Sequence, residues 1–279
     1  ISRFEAVVDS FVVANRIYFD PKFHPQRRYF DTLRAEVRRR VPSGDKESFL
    51  SRYEDYTLAE MQLTMKFASR KRLIERYIAD QPVRYYDEQY MRLFLALYKG
   101  SISMGTSRIP QHRLVSWVER GALDVYIDSV GLDPLLRNEQ VRELAVLQAL
   151  KESYYNAAYD RVKVRRMVET LGQRSKFPEH RKLAASLAAS FAARERGAEM
   201  PRFELPDIDH NMVSLDDLRG KWVYLSFVRV GDPASLAEIE TLAFFRDSIY
   251  SRNKDVVFVS VSCDREFQKM YHFVRNNKK

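Results

Sequence analysis

The chain has 279 residues, 45% of them hydrophobic and 30% charged. That balance belongs to globular domains and excludes a disordered chain. The formal net charge is +9, but Asp and Glu are interleaved with Lys and Arg, as on a solvated helical surface, and no groove-reading motif accompanies the charge, so nucleic acid is not an expected partner.

The first two-thirds of the chain reads as helix. Phe4, Val7, Val8, Phe11 and Val12 fall on helical spacing, as do Tyr29, Leu33 and Val37. Ser43-Gly44-Asp45 breaks the pattern before an apolar-periodic stretch with Phe49, Tyr53, Leu58, Met61, Leu63 and Phe67. Pro82 and Tyr85-Tyr86-Asp87 mark a turn, and Asp87 is placed to cap a helix over 87–98. A Ser/Gly/Pro-containing loop spans 100–110, and residues 131–136 make another break. A long helix is predicted over 138–159, with Leu144, Leu147, Leu150 and Tyr154 on one side, followed by helices over 162–171 and 178–196. Residues 166–177 carry a faint helix-turn-helix pattern, for which a simple helical hairpin is the preferred reading. No fixed repeat period emerges, so residues 1–197 are read as antiparallel helices with short connections rather than a solenoid. The 16 Tyr and 17 Phe, including Tyr85-Tyr86 and Tyr154-Tyr155, are expected mainly to pack helices.

Residues 198–279 change character. An apolar strand over 221–229 runs through a short turn into a helix over 234–246. Asp232 suits the N-cap of that helix and Pro233 its first position. A second strand over 254–262 is nearly continuous in apolar residues, as a parallel strand covered on both faces would be. Cys263-Asp264 ends it, and a helix over 266–275 follows. Strand, helix, strand at this spacing predicts a right-handed crossover.

These stretches in this order, preceded by Pro201 to Asp209 and by Val213 to Lys221 with Gly220 closing a helical turn, resemble a thioredoxin-like domain of the TlpA/AhpC type. The resemblance implies a Cys-x-x-Cys pair at the start of the helix after the first strand, where the helix dipole lowers a thiol pKa. Asp232 and Ser235 stand there instead, which implies a fold kept and an electron chemistry deleted. The family continues beyond the last predicted helix to a strand preceded by a cis-proline, so the domain is expected to be incomplete. A helical segment ahead of a thioredoxin-like domain also resembles envelope lipoproteins of Gram-negative bacteria. It implies a periplasmic or outer-membrane-associated protein with envelope protein partners.

Cys263 is the single cysteine, which excludes an internal disulfide. Its place at a strand end predicts a small buried residue. The alternative is a reactive lone thiol near a helix N-terminus beside Arg265, serving a one-cysteine peroxidase or reductase. His24, His112, His180, His210 and His272 are scattered singly, without metal-ligand spacing, so no metal is assigned. No phosphate-binding Gly-rich loop and no His-Glu-x-x-His motif occurs. Ser107, Ser116 and Ser190 sit in no Gly-x-Ser-x-Gly turn, and no cofactor is expected. No apolar run approaches the roughly 18 residues of a membrane span.

The expectation is therefore an all-α array followed by an α/β thioredoxin-like domain. Its role would be redox-inactive protein binding or envelope assembly. The alternatives are catalysis by Cys263, or a peptide, glycan or outer-membrane partner held in an aromatic groove of the helical part.

Overall fold

A computed structural model describes residues 1–20, 22, 26–41, 48–106, 108–248 and 255–276. The Ser43-Gly44-Asp45 break, His24, Ser107 and Lys254, which opens the second predicted strand, lie outside the described residues. The chain divides into two compact units, Ile1–Ala198 and Glu199–Lys279.

The first unit is all α. Its helices are α1 (Ser2–Ala14), α2 (Arg27–Arg40), α3 (Phe49–Thr64), α4 (Arg70–Tyr77), α5 (Glu88–Tyr98), α6 (Gln111–Arg120), α7 (Leu123–Val130), α8 (Glu139–Tyr154), α9 (Arg161–Arg174) and α10 (Pro178–Ala192). Two apolar clusters hold them. Phe4, Phe30, Leu33 and Val37 centre a small one between α1, α2 and α3. Tyr90, Phe94, Leu114, Tyr126 and Leu150 belong to the larger one. Helical periodicity placed most of these residues inward, as an amphipathic helix requires. Phe49 departs from it. It occupies the first helical position of α3 and is exposed.

Side-chain caps set several helix starts. Ser48, Ser69, Asp87 and Asp160 each accept a backbone N–H from the first turn of α3, α4, α5 and α9. Asn138 accepts from both Gln140 and Val141 at α8. Such caps answer donors that the helix itself leaves unpaired. They also explain why the helix predicted over 138–159 is shorter. It stops at Tyr154, Asn156 turns the chain by accepting the Ala158 N–H, and Asp160 opens α9. Likewise α10 ends at Ala192 rather than 196.

The aromatic pairs divide between inside and outside. Tyr154 is buried and stacks on Phe191 at 3.7 Å, while Tyr155 is exposed. Tyr85 is half-buried and Tyr86 exposed.

His180, one of the scattered histidines, is fully buried. Its Nδ1 lies 2.6 Å from Glu143 Oε1 and its Nε2 lies 2.5 Å from the Tyr85 hydroxyl. Gln140 donates to that hydroxyl, and the Ser175 hydroxyl donates to Glu143. Burial pushes the Tyr85 phenol up to about 12, so it stays an intact hydroxyl. The chain of polar groups ties α8, α10 and the turn before α5 through the interior, where each partner's desolvation is repaid only while the others remain.

The helical hairpin reading of residues 166–177 matches α9 and α10, joined through Ser175–Phe177. The two helices touch at Gly172, where an added Cβ would lie 2.9 Å from the Cβ of Ala184.

The second unit holds two sheets of two strands each among the described residues. β1 (Glu204–Pro206) and β2 (Met212–Ser214) pair antiparallel. Gly220 then adopts φ +78 after a short 3-10 turn. β3 (Trp222–Val228) and β4 (Val256–Ser262) pair in parallel, with Trp222 opposite Val256 and Val228 opposite Ser262. α11 (Pro233–Ser248) connects them and α12 (Phe267–Asn276) follows. The fold is thus an all-α array plus an α/β unit. The expectation that β4 is covered on both faces is corrected. Its residues are half-buried except Ser260, which is exposed, and Trp222, Tyr224 and Phe227 on β3 are exposed. Among the described residues β4 has one strand neighbour.

Two predictions follow from the helical packing. Gly172→Ala should lower unfolding free energy by about 1–2 kcal/mol despite its better helix propensity, because overpacking costs about 1–3 kcal/mol. Adding Ala184→Gly should recover part of that loss in the same denaturant titration. His180→Ala should cost about 3 kcal/mol, the cost expected when one partner of a buried polar pair is removed. A loss under about 0.5 kcal/mol would show that the buried chain carries no stability.

Candidate functional site at the carboxyl end of the parallel strands

The first central strand, β3, delivers its chain to a turn at 229–232. Gly231 sits at φ +84, a conformation that favours glycine, and an added Cβ there would meet nothing within 4 Å. The turn closes with the Asp232 N–H donating to the Arg229 carbonyl at 3.2 Å.

Asp232 then starts α11. Its Oδ2 accepts the Ser235 backbone N–H at 2.9 Å and the Ser235 hydroxyl at 2.8 Å. The Ser235 oxygen in turn accepts the Arg229 N–H at 3.1 Å. So the Ser235 hydroxyl both donates and accepts within the turn, and its side chain is largely buried. The hydroxyl and N–H of Ser235, with Arg229 nearby, hold the Asp232 carboxyl below the ordinary carboxylate range. A negative side chain at a helix N-terminus also gains from the helix dipole. Chemically this is a helix start whose two polar side chains answer each other and the backbone.

The second strand carries a matching tie. Asp264 Oδ2 accepts the Val230 N–H at 2.9 Å and the Ser262 hydroxyl at 3.0 Å. The Val230 contact is the leading reason its carboxyl is lowered. This links the end of β4 to the turn after β3. Deeper in the pair, the hydroxyls of Ser226 and Ser260 meet at 2.9 Å.

Cys263 lies between those elements. Its backbone N–H donates to the Val228 carbonyl at 2.8 Å, extending the parallel ladder by one residue. Its side chain is exposed, which corrects the expectation of a small buried residue. The apolar run ends at Ser262, and the chain leaves the sheet at this position. Asp232, Ser235 and Cys263 thus gather at the carboxyl end of the two strands, the end where open α/β sheets place their ligands. Among the described residues no hydrogen bond joins the cysteine to the other two.

Among the described residues, no group of three or more His, Cys, Asp or Glu side chains is placed to hold a metal ion. No described helix is long and apolar enough to cross a membrane.

Asp232 should contribute stability only while ionised. Its folded pKa lies below its unfolded value, so the contribution is complete above the ordinary Asp pKa of about 3.9 and fades as pH falls through the lower folded value. Asp232→Ala should therefore reduce the protection of the Ser235 amide against hydrogen exchange at pH 7, with the gap to wild type closing below about pH 4. A gap independent of pH would show that the carboxylate is not the cap.

The AhpC/TSA family matches residues 196–278. No curated protein and no solved structure matches the chain. The C-terminal unit, with its β3–α11–β4 crossover and the turn at Asp232, is a thioredoxin-like AhpC/TSA domain.

Proposed function

We propose that the C-terminal domain is a redox-inactive thioredoxin-like module that binds protein partners, as part of a cell-envelope assembly. One observation carries the reading. At the helix start where the resemblance puts a cysteine pair, Asp232 and Ser235 bond to each other and to the backbone. Neither can form a disulfide, and the Ser235 hydroxyl is already committed as donor and acceptor. The exposed aromatic side chains of Trp222 and Tyr224, two residues apart on one face of β3, support a binding role, because apolar residues clustered on a surface mark interaction sites. The order of a helical segment before a thioredoxin-like domain, as in Gram-negative envelope lipoproteins, supports a periplasmic or outer-membrane-associated location.

The exposure of Cys263 favours a second reading, a thiol-disulfide oxidoreductase or peroxidase acting through that residue. It would need the thiolate form, since the thiolate is the nucleophile.

Insulin reduction driven by dithiothreitol separates the two. The protein should leave the dithiothreitol-only rate unchanged, while Cys263 titrates with an aromatic disulfide reagent in the native state at one thiol per chain. Acceleration that disappears in Cys263→Ser would overturn the binding reading and make this cysteine the catalytic group.

A further inference from the structure

The helical unit contains a cavity of about 370 Å³ between α4, α5, α6, α7 and the 3-10 turn at Pro134–Leu136. That volume lies within the range of small-molecule sites, about 300–1,000 Å³. Its inner wall is apolar and buried, made by Ile74, Ile102, Leu114, Trp117, Val130 and Leu136.

Tyr98, the last residue of α5, is 4% exposed and also lines the cavity.

The exposed part of the lining carries four cations beside Thr106 and Leu132. Arg70, Lys71, Arg108 and Arg113 border the cavity and are exposed. Among the described residues no carboxylate lies within ion-pair distance of Arg70, Arg108 or Arg113, and Lys71 meets Glu75 only at 3.8 Å. The one carboxylate in the lining, Asp133, uses Oδ1 to accept the Leu135 N–H.

We propose that this cavity binds a small amphipathic carboxylate. The carboxylate sits among the arginines and the lysine, and the apolar body fills the inner space. A neutral lipid would leave the cations unanswered, and a fully polar anion would leave the apolar wall empty. The inference is independent of the C-terminal domain and of any thiol.

Trp117 provides the readout. The chain has two tryptophans, and Trp222→Phe at an exposed position leaves Trp117 alone in the full-length protein. In that background, decanoate at pH 7.5 should change the fluorescence saturably, with calorimetry giving the same dissociation constant. 1-Decanol, which lacks the carboxylate, should bind about tenfold more weakly, and Arg113→Gln should weaken decanoate about threefold, as removal of one partly screened charge would. No saturable heat or fluorescence change with decanoate, equal binding of the alcohol, or an affinity untouched by Arg113→Gln would overturn the proposal.

Discussion

Each helix start exposes backbone N–H groups that no turn of the same helix can accept, and in this chain the side chain that answers them decides where many elements begin. Ser48, Ser69, Asp87, Asn138 and Asp160 do this in the helical unit, and Asp232 does it in the C-terminal domain. Because a cap fixes a helix start within one residue, the connections can be short. Ten helices then pack without long irregular segments between α8, α9 and α10. The buried polar chain from Gln140 through Tyr85, His180 and Glu143 to Ser175 adds one constraint of register between these helices.

Asp232 belongs to this series, which changes how its position is understood. In a redox-active relative the same helix start would stabilise a thiolate through the dipole and the free N–H groups. Here a carboxylate and its serine use those groups. Asp264 does the equivalent for the neighbouring strand end by holding Val230. Both turns at the carboxyl end of the sheet are thereby braced.

What could be read from the sequence was local. Helical spacing located Phe4, Leu33 and Val37 in the core, Asp87 was legible as a cap, and Asp232-Pro233 as a helix start, because each depends on neighbours within four residues. The misreadings have a common cause. The helix end at Tyr154 was overrun because apolar periodicity continues past it while Asn156 and Asp160 turn the chain, and the end at Ala192 because no breaking residue precedes Gly197. Cys263 looked buried because the apolar strand before it carries no signal of where the sheet's covering layer stops. His180 looked isolated because its partners stand 37 and 95 residues away. The cavity beside Tyr98 was equally hidden, since its wall is drawn from four helices and a turn.

Distance in sequence also separates two ways in which the helical unit places its polar groups. The His180 chain is closed, since each member has its partner within the protein, and its contribution is to order and stability. The cavity beside Tyr98 has the opposite arrangement, an apolar wall inside and Arg70, Lys71, Arg108 and Arg113 at its exposed border. Cations held beside apolar space give an occupant's charge its sign, while the wall sets how much apolar surface that occupant must bring.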